Sequence, residues 1–246
     1  MNFKFIHKKN ARRTFIVLPG VMSDEVSIDF LVPALRRHGH VLWVNYPNRR
    51  ATTETLIKKV LEEIEKRDLK KIIIVGYSYG GSLGRKLIDK IRDHRRPIKV
   101  EKFIAINAAL DTTDLTALGR VATKMSSRLS HTERSRILLG HLLKFFWDTS
   151  LDPALYRLGH NVSADQIAGA TTRTREMTYR IRQRTPRYFN VPTVLIKASY
   201  DEYVSHKNDK RFKNIFPHLE TKVLRSRHNV LGRHQKELRR LVLDAI

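Results

Sequence analysis

The chain of 246 residues contains no cysteine. A disulfide framework, a thiol nucleophile and a thiolate metal site are therefore excluded. No run approaches the roughly 20 consecutive apolar residues that a membrane-spanning helix needs. The His-x-x-x-His spacing used by many zinc sites is also absent from any convincing helical pattern. We therefore expect neither a metal nor a cofactor.

Acidic residues are scarce, since 24 Asp and Glu stand against 48 Lys and Arg and give a formal net charge of +24. Such a surface attracts polyanions, including nucleic acid, anionic lipid and acidic substrates, and salt weakens the attraction. No zinc-finger spacing, recognition-helix pattern or RNA-stacking motif accompanies the charge, so no specific nucleic-acid partner is expected. We favour a generally basic proteome as the explanation, with peripheral contact to an anionic membrane or another polyanion as the alternative.

The N-terminal segment places basic residues before the apolar run 15–18. This arrangement resembles a secretory signal, but the run is short and no small-x-small cleavage site follows it. We interpret the run as a buried strand. The expected location of the protein is therefore the cytoplasm.

Short apolar runs rich in β-branched residues recur between turn residues. They predict buried parallel strands at 14–18, 40–44, 71–75, 102–106, 191–196 and 221–224, with 3–6 as a further candidate. Helical patterns lie between them at 28–37, 53–67 and 80–92. The alternation predicts an α/β fold, in which right-handed crossovers place helices on both faces of a mostly parallel sheet.

The alternation stops between residues 111 and 190, where helical patterns occur without a convincing strand. We expect a helical lid there, inserted into an α/β core formed by residues 1–110 and 191–246. Its segment 138–147 is a broad apolar surface with basic residues at its edge. Packing onto its own domain is the ordinary interpretation of such a surface, and an acyl pocket or a lipid interface is the alternative.

One serine lies between two glycines in the pattern Gly76-x-Ser78-x-Gly80, directly after the strand 71–75 and before a helical pattern. A serine on a tight strand-to-helix turn adopts a strained backbone, so the residues two positions before and after it must be small. The helix also directs its N-terminal amides and positive dipole end toward the serine, which favours an oxyanion there. Ser78 is therefore predicted to be a nucleophile, and a serine in an ordinary glycine-rich turn is the alternative.

A serine hydroxyl needs an imidazole to take its proton and an acid to orient that imidazole. With Ser78 on a central strand-to-helix turn, the chain from about residue 14 to the C-terminus resembles the α/β-hydrolase family. In that family the serine, the acid and the histidine follow one another in this order, each at the end of a strand. The resemblance implies that the two partners of Ser78 lie downstream.

The acid implied by the resemblance is Asp201, which follows the strand after the lid. A register shift of one residue would place Glu202 there instead. The implied histidine is His228, which follows the last predicted strand. His218 and His234 are neighbouring alternatives, although neither lies at the end of that strand.

The resemblance further implies two backbone amides that stabilise an oxyanion. One belongs to Tyr79, directly after the nucleophile, and the other to Val21 in the loop after an early strand, with Met22 as the alternative. Gly20 takes the place of the glycine in the family's common His-Gly pair, whereas Pro19 replaces the histidine. The alternative interpretation is that Pro19-Gly20 is only a turn. The residues expected to contact substrate are Gly20, Met22 and Tyr77.

Together these residues predict a serine hydrolase that cleaves a carboxylic ester or thioester through an acyl-enzyme, in the manner of an esterase or lipase. Its partner is then a small-molecule acyl ester. An acyltransferase that uses the same triad is one alternative. A basic binding protein on a hydrolase scaffold, in contact with nucleic acid or an anionic membrane, is the other. The sequence carries no signal for an oligomeric state.

Overall fold

The computed structural model of the chain describes residues 1–21, 28–46, 51–95, 97–110, 112–117, 120, 170, 188–230 and 233–246. Most of the segment in which the helical lid is predicted lies outside these residues. The lid and the division of the chain at 111–190 therefore stay predictions. No helix in the described ranges is long and apolar enough to cross a membrane.

A seven-stranded sheet forms the centre of the molecule. Its strands are β1 (Asn2–Ile6), β2 (Thr14–Leu18), β3 (His40–Asn45), β4 (Lys71–Tyr77), β5 (Lys99–Ile106), β6 (Thr193–Tyr200) and β7 (Leu219–Arg227). They lie in the order β1-β3-β2-β4-β5-β6-β7, with β1 antiparallel to β3 and all other neighbours parallel. The mostly parallel sheet predicted from the sequence is thus confirmed.

The strand order reverses between β2 and β4. From β2 the chain moves outward to β3, whereas from β4 it moves in the opposite direction to β5, β6 and β7. The connections that leave the carboxyl ends of β2 and β4 therefore run toward opposite edges of the sheet. In open α/β sheets the ligand-binding crevice lies at such a switch point.

Helices cover both faces of the sheet. They are α1 (Val32–Arg36), α2 (Thr53–Lys66), α3 (Tyr79–Arg92), α4 (Asp209–Ile215) and α5 (Arg233–Leu243). One core contains buried residues of α2, α3 and α4 together with alternate strand residues such as Ile74 and Phe103. The other contains buried residues of α1 and α5 with the intervening strand residues, such as Ile73 and Ile104. Because both faces are buried at the centre of the sheet, β2, β3 and β4 are nearly continuous apolar runs.

Element boundaries differ from the predicted ones where polar residues extend a strand or proline limits a helix. β5 begins at Lys99 and β7 continues to Arg227, because strand pairing persists where side chains reach solvent and no apolar pattern marks them. The predicted helix 28–37 is instead a short 3-10 turn, Asp29–Leu31, followed by α1. Pro33 lies in the first turn of α1, where its missing N–H costs no helical hydrogen bond.

Thr52 caps the N-terminus of α2, since its side-chain oxygen accepts the Thr55 backbone N–H at 3.2 Å. We expect Thr52→Ala to lower the free energy of unfolding by about 1 kcal/mol, because one amide of the first turn loses its acceptor. Thr52→Ser keeps an acceptor hydroxyl and is the matched control. Urea denaturation measures both variants, and equal stability of the two would contradict the capping role.

His40 lies at the start of β3, and we expect its contribution to the free energy of unfolding to be lost in acid. Burial, reinforced by the neighbouring His7, lowers the pKa of His40 from its usual value, although a bond to the Ala11 backbone opposes the shift. Its unprotonated Nδ1 accepts the Lys8 backbone N–H at 3.1 Å. The unfolded chain binds this proton more tightly, so the contribution is complete above about pH 6.5 and is lost as the pH falls through the lowered pKa.

We therefore expect His40→Gln to lose less thermal stability than the wild-type chain between pH 7.5 and pH 5. Thermal unfolding followed by circular dichroism at both pH values measures the difference. An identical loss in the two proteins would contradict the role of His40.

Candidate active site

Ser78 lies in the turn between β4 and α3, at the carboxyl end of the central strand. Its φ of 51° and ψ of −116° form a backbone conformation that residues other than glycine rarely adopt. Two backbone hydrogen bonds hold the turn: Ser78 N–H donates to the Ile106 carbonyl oxygen at 2.8 Å, and Gly81 N–H donates to the Ser78 carbonyl oxygen at 3.0 Å. Strain of this kind is concentrated at functional residues, where the surroundings maintain it.

Gly76 and Gly80 permit this turn because neither position has room for a side chain. A Cβ at Gly80 would lie 2.0 Å from the Leu18 carbonyl oxygen and 2.5 Å from the Pro19 carbonyl oxygen. A Cβ at Gly76 would lie 2.5 Å from the carbonyl oxygen of Gly80. These contacts involve backbone atoms, which cannot rotate away. The glycines therefore allow the loop after β2 to lie directly against the serine turn.

The side chains of Ser78, His228 and Asp201 form one hydrogen-bonded chain. Ser78 Oγ lies 2.9 Å from His228 Nε2. On the other side of the ring, His228 Nδ1 lies 2.8 Å from Asp201 Oδ2 and 3.0 Å from Oδ1. Asp201 and His228 are buried, and Ser78 is half-buried. An imidazole held in this way can accept a hydroxyl proton at one nitrogen while a carboxylate stabilises the other.

The two carboxylates that the sequence left as alternatives occupy different places. Asp201, directly after β6, faces the imidazole, and its Oδ1 also accepts the backbone N–H groups of Tyr203 and Val204 at 2.9 and 2.8 Å. Glu202 contacts the main chain instead, since its Oε2 accepts the backbone N–H of His228 at 3.2 Å. The structure thus brings Asp201, and not Glu202, to the imidazole ring.

Of the three histidines weighed from the sequence, His228 is the one whose ring reaches Ser78 in the described part of the chain. The His218 carbonyl oxygen accepts the backbone N–H of Thr193, at the opposite end of β6 from Asp201. His234 lies on α5 and lines a surface groove. Among the described residues, no three His, Asp or Glu side chains form a group that could hold a metal ion.

The loop after β2 borders the nucleophile. A Cβ at Gly20 would lie 3.8 Å from Ser78 Cβ, so the glycine predicted to contact substrate is next to the serine. The Tyr46 hydroxyl donates to the Pro19 carbonyl oxygen at 3.0 Å. The Tyr46 ring also packs edge-on against the ring of Tyr79, with 5.7 Å between centroids. Pro19 and Gly20 are therefore held in place by a buried side chain as well as by the serine turn.

The residues predicted to supply the oxyanion amides lie on the two sides of the crevice. Tyr79 is the first residue of α3, so its backbone N–H lies at the helix N-terminus, where the helix dipole favours negative charge. Val21 lies in the loop after β2. Met22, the alternative to Val21 and a predicted substrate contact, lies outside the described residues.

Side chains at the ends of β4 and β5 hold the main chain of His228. The Tyr77 hydroxyl and Asn107 Nδ2 both donate to the His228 carbonyl oxygen, each at 2.7 Å. Tyr77 was predicted to contact substrate, but its side chain is only 3% exposed and its hydroxyl binds the histidine loop. This geometry favours a supporting role for Tyr77. Asn107 was missed, although a polar residue directly after a predicted buried strand is a signal that marks the carboxyl edge of a parallel sheet.

Comparison with known proteins places this architecture in a family. The family model of the alpha/beta hydrolase fold matches residues 45–235. A comparison with curated proteins finds no match. Among solved structures, the chain is similar to a marine microorganism esterase at a TM-score of 0.73 and 17% identity, over 100% of this chain and 98% of that chain.

Two further solved structures are similar over nearly the whole chain. The enol-lactonase from Burkholderia xenovorans LB400 has a TM-score of 0.70 and 17% identity, with 99% of this chain and 95% of that chain covered. An esterase from Exiguobacterium antarcticum has a TM-score of 0.67 and 14% identity, with 98% and 93% covered. At such identities these likenesses bear on the fold alone. Because the family model spans more than half of its length, the chain belongs to the alpha/beta hydrolase fold family.

Proposed function

We propose that the chain is a serine hydrolase that cleaves a carboxylic ester or thioester through an acyl-enzyme. The observation that carries the proposal is the hydrogen-bonded chain from Ser78 through His228 to Asp201, on a strained turn at the carboxyl end of the central strand. The similar structures add support, because two are esterases and the third is an enol-lactonase. A lactone is a cyclic ester, so the three names belong to one substrate class.

In the first proposed step, the Ser78 hydroxyl donates its proton to His228 Nε2 while Oγ forms a bond to the carbonyl carbon of the ester. Asp201 accepts the Nδ1–H and stabilises the imidazolium that forms. The carbonyl oxygen becomes an oxyanion, which accepts hydrogen bonds from the backbone amides of Tyr79 and Val21. Burial of Asp201 and His228 keeps water from weakening their attraction.

In the second proposed step, the oxyanion reforms the carbonyl and the bond to the alcohol or thiol breaks. The leaving group takes the proton from His228, and the acyl group stays on Ser78. A water molecule then gives its proton to His228 and attacks the acyl carbon. The second tetrahedral intermediate releases the carboxylic acid and returns the proton to Ser78 Oγ. The complete cycle thus consists of acyl transfers and proton transfers only.

The substrate is proposed to enter the crevice between the loop after β2 and the turn after β4. Gly20 borders this crevice beside the nucleophile, so the acyl group lies between the two loops when Ser78 attacks. The lid predicted for residues 111–190 would begin at the same edge of the sheet, because that segment follows the carboxyl end of β5.

Ser78→Ala is expected to abolish labelling by a fluorophosphonate probe and turnover of p-nitrophenyl esters, because it removes the hydroxyl that contacts His228 Nε2. Gel fluorescence and absorbance at the nitrophenolate band measure the two activities. Ser82→Ala is the matched control: Ser82 is buried in the first turn of α3, and its hydroxyl donates to the Ala109 carbonyl oxygen. Labelling that persists in folded Ser78→Ala, or a wild-type chain that neither labels nor turns over any ester, would overturn the proposal.

Asp201→Asn is expected to lower the rate constant of fluorophosphonate labelling by about 10⁴-fold, because an amide at this position favours the wrong imidazole tautomer. Glu202→Gln is expected to lower it only about fivefold, since the amide oxygen still accepts the His228 backbone N–H. The probe reacts with the serine directly, so the comparison needs no knowledge of the natural substrate. Equal losses in the two variants would remove Asp201 from its proposed role.

A further inference from the structure

The geometry points to Asn107 and Tyr77 as positioning residues that hold the His228 loop so that its imidazole reaches Ser78. The inference rests on the proposed function, because His228 is the base of that mechanism. The Tyr77 ring packs beside the imidazole, with 5.8 Å between the ring centroids. Both side chains act on the main chain of the histidine.

Asn107 connects three parts of the structure from the end of β5. Its backbone N–H donates to the Ile196 carbonyl oxygen at 2.8 Å. Its side-chain Oδ1 accepts the Ala198 backbone N–H at 2.8 Å, and its Nδ2 donates to the His228 carbonyl oxygen at 2.7 Å. The residue is 1% exposed and has a φ of 46°, which is unusual for a residue other than glycine. A buried, conformationally unusual asparagine thus links β5, β6 and the histidine loop.

The carboxamide of Asn107 satisfies both of its side-chain partners, which an ionised carboxylate cannot do. The Ala198 N–H requires an acceptor and the His228 carbonyl requires a donor, so these partners also fix which side-chain atom is oxygen and which is nitrogen. An aspartate has the same shape but no donor when ionised. Its second oxygen would face the His228 carbonyl oxygen, and two acceptors at this distance repel each other. Aspartate at position 107 is therefore an isosteric test of the donor.

Tyr77 provides the second bond to the same carbonyl oxygen. It is the last residue of β4 and directly precedes Ser78, so its hydroxyl links the strand of the nucleophile to the loop of the base. The His228 carbonyl oxygen thereby uses both of its lone pairs. Glu202 accepts the His228 backbone N–H, so the peptide groups on both sides of the histidine are held.

These bonds matter because His228 follows β7, which lies at an edge of the sheet and has a strand neighbour on one side only. The nucleophile, in contrast, follows the central strand. Tyr77 and Asn107 extend from the ends of β4 and β5 and so fix the edge loop relative to the centre of the sheet. Misplacement of a catalytic group by about 1 Å lowers a rate by about 100-fold, so the alignment of the imidazole is sensitive to these bonds.

The test compares Asn107→Asp and Tyr77→Phe with the wild-type chain, by the rate constant of fluorophosphonate labelling and by kcat and KM on a p-nitrophenyl ester. We expect Asn107→Asp to lower the labelling rate constant and kcat by about 100-fold and Tyr77→Phe by about tenfold, with little change in KM. Tyr77→Phe removes one oxygen atom and is the milder change. It keeps the test decisive if Asn107→Asp does not fold.

Thr193→Val is the matched control. Thr193 is buried, and its hydroxyl donates to the Val191 carbonyl oxygen at 2.9 Å, at the far end of β6 from the site. This variant loses a buried bond to a carbonyl group and is expected to have a lower melting temperature with wild-type labelling. A structural role of Asn107 and Tyr77 would produce the same result in their variants.

Wild-type labelling rates in folded Tyr77→Phe and Asn107→Asp would therefore overturn the inference, as would an equal loss of labelling in Thr193→Val. Failure of the proposed function is distinguishable from this result. It appears as absent labelling of the wild-type chain or as undiminished labelling of Ser78→Ala, whereas failure of the inference leaves both of those proteins behaving as proposed.

Discussion

The backbone of Gly80 lies against the carbonyl oxygens of Leu18 and Pro19 with no space for a Cβ atom, and the geometry of the site depends on this contact. It joins the first turn of α3 to the loop after β2, two segments that the reversal of strand order would otherwise separate. The same approach brings Gly20 beside Ser78, whose backbone has a φ of 51°. The position of Ser78 thus depends on the close packing of two backbones at the topological switch point.

The rest of the site is assembled by bonds between side chains and main-chain groups. Asp201 accepts two backbone amides of its own turn, and the peptide groups of His228 bind Glu202, Tyr77 and Asn107. Buried polar groups of this kind are costly when unpaired, so each bond is needed for stability as well as for geometry. This network joins the centre of the sheet to its edge. The position of the His228 imidazole therefore depends on several strands and not on β7 alone.

Apolar patterning predicted the strands well because the sheet is covered on both faces, and a buried strand must then be continuously apolar. It failed at the ends of β5 and β7, where Lys99 and Arg227 pair by backbone hydrogen bonds without burial. The choice between Asp201 and Glu202 needed coordinates, because one residue of register separates them. The position of Asn107 after a buried strand is visible in the sequence, but its partners are not, since they are main-chain groups 91 and 121 residues further along the chain.

The hydrogen bond between Ser78 and His228 joins residues 150 positions apart. A ribosome releases the central strand and its serine long before β7, so a growing chain carries the strained turn without the imidazole that would activate it. The hydroxyl is a weak nucleophile throughout that interval. Under the proposed function, reactivity of Ser78 therefore reports the docking of the last strand, and a labelling probe applied during refolding would follow closure of the sheet instead of formation of its centre.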